Sequence, residues 1–390
     1  MSINWPVKKL GEVLLLIQNG INPKQGEIGN YPISRIETLQ NNSFDSKRVK
    51  YADLNKDEFE KYKYEIGDIA FSHINSYEKL GKVALYNGEI KNLVHGVNLL
   101  RLKTIKNICL PDYLFAFMQA PSLRAQLGPY INMAVNQASI NQTSLKKTLI
   151  PIPPINIQKK IVERLDAIRK AQELNDLQIT KTEELFESLV FKELEDLEIE
   201  SQSLSKVCSF QYGYTQSAQN VGQYRFIRIT DINEYGEIRE DDEKFISDDI
   251  ELLKPYILNK GDLLLARTGA TYGKILHFSL DQPSVFASFL IRIIPDKSKV
   301  LPGYIWLFSR SRNYWNQAKR LVSGTGQPQF NANKIKEIKI KIPNLGAQQE
   351  IVGKLEAVQD YKKLLQKQKL LLKELFDSVL DKSMKGEMDN

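Results

Sequence analysis

The stretch IPIPPINIQKKIV (residues 150–162) decides the fold, because it contains the end of a strand and the start of a long helix. Its prolines end the strand and cannot lie inside a helix. Gln158 then opens a segment in which apolar residues follow helical spacing. The stretch returns as IKIPNLGAQQEIV (residues 340–352), in which Gln348 stands 190 residues after Gln158. A strand-to-helix junction of this kind therefore occurs twice in the chain.

The rest of the chain repeats in the same order. Arg35 has a counterpart in Arg228, 193 residues later, and Gly67-Asp68 returns as Gly261-Asp262 after 194 residues. Further matched stretches are Gly81-Lys82-Val83 with Gly273-Lys274-Ile275, NQASIN (136–141) with GQPQFN (326–331), and EELFESL (183–189) with KELFDSV (373–379). Chance similarity does not keep such a register, so we predict an internal duplication.

The duplication predicts a globular segment followed by a long helix, twice over. Short apolar runs bounded by Gly and Asn turns indicate strands, and the stretches that follow Pro111 and Pro302 have helical spacing. The run KEIKIKIP (336–343) is strand-like. The predicted fold class is α+β, with two mixed α/β domains, two long antiparallel coiled-coil helices and a pseudo-twofold repeat. The expected limits are 1–155 and 201–345 for the domains, and 156–200 and 346–390 for the helices.

Both helical segments carry a heptad seam that is apolar at its ends and more polar in its middle. The apolar seam residues are Ile161, Leu165, Ile168 and Phe186 in the first helix, and Ile351, Leu355, Val358, Leu365 and Phe376 in the second. A helix of about 35–40 residues spans about 50–60 Å and must pack on something. A self-contained helical hairpin and a spacer with a partner surface are both open. Two equivalent modules in one chain favour the spacer.

Composition and charge exclude some classes of protein. The 54 Lys and Arg against 47 Asp and Glu give a net charge of +7, which is compatible with nucleic-acid binding without establishing it. The two cysteines lie in different halves, and the three histidines are not at metal-ligand spacing, so we expect neither a disulfide framework nor a metal site. No apolar run is long enough for a signal peptide or a membrane span, so a cytoplasmic location is expected.

Motifs of catalysis are missing from the sequence. The stretch 269–275 is one residue short of a phosphate-binding loop and lacks its hydroxyl residue, and no DPPY or NPPY string of an amino-methyltransferase occurs. The sequence therefore favours a binding protein over an enzyme. Two alternatives stay open: a DNA-modifying enzyme with a divergent active site, and a coiled-coil scaffold that does not bind DNA.

The strand-to-helix junctions, together with the helix ends KTEELFESLV and LLKELFDSVL, resemble the specificity (S) subunit of type I restriction-modification systems. The resemblance covers essentially the whole chain, including the opening VKKLGEV and its echo SLSKV. It depends on duplication and order more than on any one string. The second globular segment fits the family better, because ARTGATYGK has the usual form of its loop, whereas SHINSYEKLGK is longer and lacks the arginine.

The resemblance implies a function in DNA recognition. Each globular segment would be a target recognition domain that reads one half of a split site in double-stranded DNA. The helices would set the spacing and dock two methyltransferase (modification) subunits, and restriction subunits with nuclease and translocase activity would join them. S-adenosylmethionine, ATP and Mg²⁺ would belong to those partners, so this chain would have no cofactor and no catalytic residue of its own.

Candidate DNA contacts follow the two Gly-Asp strands, where polar residues interrupt the β pattern. Recognition needs cations for phosphates and fork-shaped or amide side chains for base edges. The candidates are Arg267, Thr268, Thr271, Tyr272 and Lys274 in the second globular segment, and His73, Asn75, Tyr77 and Lys79 in the first. Gly269 and Gly273 would let the backbone approach the duplex closely. A tight surface turn is an equally open interpretation.

Features present in both globular segments favour shared roles over base recognition. Arg35 and Arg228 match, so a phosphate contact or a structural role is expected of both. The amide-rich loops Asn136-Gln137 and Gly326-Gln327 favour an architectural role, with DNA contact as the alternative. Because the two segments otherwise differ, the sequence predicts an asymmetric two-part target whose bases it does not reveal.

Overall fold

A computed structural model describes residues 5–135, 137–233, 236–239, 241–322 and 330–387. The chain divides into two compact units. The first unit comprises Met1–Asp176 with Lys367–Asn390, and the second unit comprises Leu177–Gln366. Each unit therefore contains one globular segment and a part of both long helices.

The first long helix extends over Ile155–Val190 and continues into a short π-helix, Phe191–Glu195; the second extends over Leu345–Lys385. Polar contacts join the two helices within each unit. The first unit has a hydrogen bond from Gln172 to the Leu372 carbonyl (3.1 Å) and an ion pair between Asp176 and Lys369 (2.8 Å). The second unit has ion pairs of Glu183 with Lys362 (2.8 Å) and of Glu193 with Lys354 (3.5 Å). Residue numbers rise along one helix as they fall along the other, so the pairing is antiparallel in each unit.

The predicted seam lies on the packed faces of both helices. In the first unit Ile161 and Leu165 are fully buried together with Leu380, and Phe376 packs against the same core. In the second unit the fully or nearly buried seam residues include Ile351, Leu355 and Leu365, with Phe186 packed against the core. Ile168 and Val358 are half-buried. The apolar ends of the seam are thus parts of the two globular cores.

Each unit contains a four-stranded antiparallel sheet with the same strand order. In the first unit the strands are Leu14–Asn19, Leu99–Thr104, Ile69–Ser72 and Val83–Leu85, and in the second unit Cys208–Tyr212, Leu290–Pro295, Leu263–Ala266 and Ile275–His277. The strands that follow the Gly-Asp pairs lie inside these sheets and are fully buried. Gly67 and Gly261 have φ of 94° and 95°, which only glycine adopts without strain. The predicted turn into a buried strand is confirmed in both units.

Smaller sheets complete each unit. A mixed three-stranded sheet contains Val94–His95, Tyr31–Ser34 and Lys50–Ala52 in the first unit, and Phe245–Ile246, Tyr224–Ile227 and Ser284–Phe286 in the second. The proline-ended strands Leu149–Pro151 and Lys339–Lys341 pair antiparallel with Val7–Lys9 and Ser201–Ser203. The first unit also has the hairpin Asn132–Ala134 and Gln137–Ser139 beside Ile74–Asn75, and a short ladder of Leu39–Gln40 with Ser43–Phe44.

Short helices lie between these strands. They are Leu10–Val13, Lys56–Tyr62, Pro111–Phe117, Pro121–Leu127 and Gln142–Lys147 in the first unit, and Ile250–Leu253, Pro302–Phe308, Arg312–Val322 and Ala332–Glu337 in the second. The helical stretches predicted after Pro111 and Pro302 are therefore two helices each. Of the run 336–343, only Lys339–Lys341 form a strand, because the first two residues of the run belong to the helix Ala332–Glu337. Asn331 caps this helix by accepting a hydrogen bond from the Lys334 amide (3.0 Å).

The glutamine of each junction connects the start of a long helix to its globular segment. Gln158 is fully buried; its amide oxygen accepts from the Leu110 N–H (2.9 Å), and its amide nitrogen donates to the carbonyls of Ile108 (2.9 Å) and Pro153 (2.8 Å). Gln348 makes the three corresponding bonds, to the Leu301 N–H (2.8 Å) and the carbonyls of Lys299 (2.9 Å) and Pro343 (2.8 Å). The sequence repeat is thus a repeat of hydrogen bonds as well.

Candidate nucleic-acid interface

An ion pair behind each Gly-Asp turn fixes the start of the candidate DNA segment. Asp68 accepts a hydrogen bond from the Glu65 N–H (2.9 Å) and faces Arg101 at 3.9 Å. In the second unit Asp262 accepts from the Asn259 N–H (2.7 Å) and pairs with Arg292 at 2.7 Å. Sequence reasoning missed both arginines, although they stand 191 residues apart in matched strands. In each unit this ion pair lies at the start of the strand whose other end leads into the candidate DNA contacts.

In the second unit the candidate arginine is held by protein contacts. The Arg267 guanidinium stacks on the Tyr212 ring at 4.7 Å and donates to the Ser288 carbonyl at 2.9 Å. Thr268 is half-buried at the start of the turn Gly269–Thr271, and the Thr271 hydroxyl lies 3.4 Å from the Ile229 carbonyl. Arg267 is therefore preorganised, and part of its hydrogen-bonding capacity is already used.

The other end of this segment packs on aromatic residues. The Tyr272 ring meets the Trp315 ring edge-on, with centroids 6.3 Å apart. Gly273 has φ of 78°, and a Cβ added there would lie 3.1 Å from the Trp315 ring, so glycine is required by both backbone and packing. Lys274 is half-buried, and among the described residues its ammonium has no ion-pair partner. Of this group, Lys274 has its charge most available to a ligand.

In the first unit the candidates are spread over a longer and more exposed segment. His73 is half-buried, and burial lowers the pKa of its imidazole. The Asn75 side chain donates to the Ser72 hydroxyl (3.1 Å) and accepts from the Ser76 N–H (2.9 Å). Tyr77 is 52% exposed, and Lys79 is exposed in the same turn. Tyr77 and Lys79 thus face solvent, whereas His73 and Asn75 take part in the local structure.

Four further candidates lie in the two amide-rich loops. Gln137 is exposed on a strand of the hairpin beside Ile74–Asn75, so it lies on the same small sheet as Asn75. Asn136, Gly326 and Gln327 lie outside the described residues.

The two matched arginines have acidic neighbours. Arg35 faces Glu37 at 3.5 Å. Arg228 binds the Asp231 carboxylate at 2.7 Å and the Asp242 carboxylate at 3.2 Å. In both units the arginine precedes a short 3₁₀ turn, whose third residue accepts its backbone N–H: Thr38 (3.0 Å) in the first and Asp231 (2.7 Å) in the second. This geometry gives both a local structural role, and a phosphate contact stays a prediction.

Two features are absent from the described part of the chain. It contains no group of three or more His, Cys, Asp or Glu side chains that could hold a metal ion. Among its helices, none is both long enough and apolar enough to cross a membrane.

Comparison with known proteins identifies the family. A family model described as the type I restriction modification DNA specificity domain matches residues 2–184 and again residues 197–374. A chain of Methanocaldococcus jannaschii assigned as the specificity subunit of the type I restriction enzyme MjaX is 43% identical over 165 residues, which are 42% of this chain and 39% of that protein. The EcoBI specificity subunit of Escherichia coli is 26% identical over 297 residues, 65% of this chain and 61% of its own length. The matches thus span less than two thirds of these relatives.

Solved structures share the fold. A chain from a structural study of complex assembly and conformational transition of the type I R-M system covers 100% of both chains with a TM-score of 0.64 at 15% identity. The S subunit of a type I restriction-modification system from M. genitalium covers 98% of this chain and 96% of its own length, with a TM-score of 0.62 at 14% identity. The predicted fold class and the predicted resemblance are both confirmed. This chain belongs to the family of type I restriction modification DNA specificity domains and contains that domain twice.

Proposed function

We propose that this chain is a sequence-specific DNA-binding subunit of a type I restriction-modification complex. Each globular segment reads one half of a bipartite, asymmetric target in double-stranded DNA. The observation that carries the proposal is the double match of the family model, at 2–184 and 197–374. Methylation and cleavage are supplied by partner subunits, which hold S-adenosylmethionine, ATP and Mg²⁺. The chain itself is non-catalytic and acts in the cytoplasm.

The two candidate segments support an asymmetric target. After corresponding strands, the first unit presents Tyr77 and Lys79 to solvent, whereas the second presents Lys274 beside a stacked Arg267. Lysine and arginine position a protein on phosphates, and base edges are read by the polar groups held beside them. Two different sets of polar groups on one scaffold fit two different half-sites.

Exposed leucines on the long helices support docking of two methyltransferase subunits. In the first unit the exposed apolar helix residues are Leu174, Leu370, Leu371 and Leu375, and in the second unit Leu177, Leu185, Tyr361 and Leu364. All are about half or more exposed, and Leu371 with Leu375, like Tyr361 with Leu364, share one face of the helix, so they form apolar patches of the kind that mark interaction sites. We propose that one methyltransferase subunit covers each set, and that restriction subunits join the resulting core.

The helices also set the spacing between half-sites. Four residues added to each helix lengthen it by about 6 Å. At about 3.4 Å per base pair this is close to two base pairs. Sequencing the methylome of a strain that expresses the insertion variant with its partner subunits tests this. We expect the two half-sites to be unchanged and the gap between them to be longer by about two base pairs. An unchanged gap would overturn the spacing role.

A binding experiment separates the proposal from its alternatives. The chain with its methyltransferase partner is expected to shift a duplex that contains the target, with an affinity that falls steeply as salt rises. Binding of S-adenosylmethionine by the isolated chain would indicate a modifying enzyme instead. Absence of any DNA affinity, with and without the partner, would leave only the scaffold.

A further inference from the structure

A pocket of about 360 Å³ opens in the first unit beside the candidate DNA segment. It lies between the turn that contains Tyr77, the helix Pro121–Leu127 and the residues 118–120 that precede this helix. Its apolar walls are Phe71, Leu80, Met118, Leu123, Leu127 and Ile140. All of these wall residues are buried by the protein itself, so the pocket is a built feature of the core and not a groove between surface side chains.

The corresponding place in the second unit is filled by aromatic rings. Counted from the matched glycines, helices and capping asparagines, the counterparts of Leu80, Leu123, Arg124 and Ile140 are Tyr272, Tyr314, Trp315 and Phe330. Tyr314 donates a hydrogen bond to the Gly273 carbonyl (2.5 Å), and its ring lies edge-on to Trp315 at 5.5 Å. Three aliphatic residues and an arginine therefore stand where the second unit has four large rings, and this substitution accounts for the cavity.

The mouth of the pocket carries flat and amide side chains. The Arg124 guanidinium lies over the Tyr77 ring at 5.8 Å and is 3.4 Å from the Tyr77 carbonyl. On the other side of the lining, Asn42 donates a hydrogen bond from its amide to the side-chain oxygen of Gln119 (3.0 Å). Planar rings and guanidinium groups stack on nucleobases, and amides match the donors and acceptors of a base edge. Lys79 is exposed in the same turn as Tyr77, where it can meet a phosphate.

We propose that this pocket binds one nucleobase that is turned out of the DNA duplex when the first unit engages its half-site. The inference rests on the proposed function and deepens it. A protein that takes a base out of the stack surrounds it with apolar and aromatic walls and reads its edge with polar groups, which is the composition found here. The duplex supplies the base, Lys79 holds the adjoining phosphate, and the Arg124 and Tyr77 side chains part to admit it.

The internal duplication argues for DNA as the occupant. Two identical methyltransferase copies would need equivalent surfaces on the two units. The pocket does not meet this need, because aromatic residues stand in the second unit at the positions of its wall. A target with two different halves is the ligand that requires such a difference. A side chain of a partner protein is the competing occupant, and the experiment distinguishes it.

The test uses the assembled complex and its target duplex, once the target is known from the methylome. 2-Aminopurine replaces the bases of both half-sites one at a time, because its fluorescence rises when it leaves the stack. The double variant Leu123→Tyr with Arg124→Trp fills the pocket with the residues that the second unit already carries. Lys106→Ala, at an exposed position of the same unit, is the control variant.

The wild-type complex and the Lys106→Ala control should show a several-fold rise at one position of one half-site. The filled variant should lose this signal and about tenfold in target affinity. Any signal at the base that the methyltransferase itself modifies should persist in all three complexes. Thermal unfolding checks that the filled variant is folded, and Arg124→Gln, which leaves the pocket open but removes a stacking group, should weaken the signal without abolishing it.

Three results would overturn the inference. One is a wild-type complex that binds the target without any such signal, which leaves the proposed function intact. Another is a folded, filled variant that keeps both signal and affinity. The third is a filled variant that loses the methyltransferase partner but not the DNA, which would make the pocket a protein-docking site. Failure of the wild-type complex to bind any DNA would instead contradict the proposed function.

Discussion

The segments that follow the two Gly-Asp strands begin alike and are held by different neighbours. In the second unit the segment is pinned by the Tyr272 and Trp315 rings and by the stack of Arg267 on Tyr212. In the first unit the matched segment lies over a cavity and leaves Tyr77 half exposed. The junctions of the long helices, by contrast, keep the same three glutamine hydrogen bonds in both units. The helix junctions, which have the same role in both units, keep the same contacts. The segments next to the candidate interface have different contacts in the two units.

The largest effect is expected where the two units are most alike. Gln158→Leu and Gln348→Leu each leave one N–H and two carbonyls, most of them partly buried, without their partner. Unsatisfied buried groups cost about 1–3 kcal/mol each, so each variant should lose about 3–5 kcal/mol of unfolding free energy. Hydrogen exchange, followed separately in the two units, measures the loss. The exposed neighbour Gln349→Leu is the control and should change stability by about 0.5 kcal/mol or less. Clearly unequal losses at the two glutamines would break the equivalence of the junctions.

A difference in acid sensitivity should come next in size. His95 in the first unit is fully buried, and its counterpart in the parallel strand pair of the second unit is Phe286. Burial, reinforced by the Arg101 charge, lowers the pKa of His95 to about 4 from 6.5, although three backbone hydrogen bonds oppose the shift. Between pH 6.5 and pH 4, His95 therefore binds a proton in the unfolded chain but not in the folded first unit. The contribution of His95 to the free energy of unfolding is fully present above pH 6.5. It is lost as the pH falls towards 4, by about 3 kcal/mol in total.

Urea unfolding at pH 7.5 and pH 5, with a probe in each unit, checks this. The first unit should lose about 2 kcal/mol more than the second between these values. His95→Phe, which installs the residue of the second unit, should remove the difference. Burial also lowers the pKa of His73 and His277, one in each unit, so these two do not separate the units. An equal acid response of both units would contradict the assignment to His95.

The matched turn glycines should respond unequally to alanine. Gly81 and Gly273 both have positive φ, 82° and 78°, which costs an L-residue about 1–2 kcal/mol. A Cβ at position 81 would meet the Phe71 ring at an ordinary 3.8 Å, whereas at position 273 it would meet Trp315 at 3.1 Å. Trp315 is packed against two tyrosines and has little room to move. We expect Gly81→Ala to cost about 1 kcal/mol and Gly273→Ala about 2 kcal/mol, measured as loss of unfolding free energy in each unit. Equal costs would mean that the aromatic filling of the second unit is looser than its contacts indicate.

The sequence predicted the features that depend on local order and missed those that depend on tertiary neighbours. A constant spacing of 190 residues, proline-ended strands and heptad steps are local, and they predicted the helices and the seam around Leu165 and Leu355. The stack of Arg267 on Tyr212 joins residues 55 positions apart in different elements, and no periodicity reports such a contact. The cavity of the first unit depends on four positions from separate elements at once. The difference between Leu123 and Tyr314 therefore indicates a cavity only when the fold is known. The DNA contacts of individual side chains stay predictions.

The smallest effect concerns the lysines that each candidate segment offers to DNA. Lys79 is exposed and Lys274 is half-buried, and neither has an ion-pair partner within the described ranges. If each neutralises one phosphate, Lys79→Ala or Lys274→Ala should weaken target binding a few-fold and reduce the salt slope of the affinity by about 1, with the base preference unchanged. Lys106→Ala and Lys297→Ala, at matched exposed positions that precede the first of the two short helices in each unit, are the controls. Titration of target and unrelated duplexes over a salt series measures all four. A lysine whose removal changes the base preference but not the slope would be a base contact, and the unit that carries it would then differ from the other in how it reads its half-site.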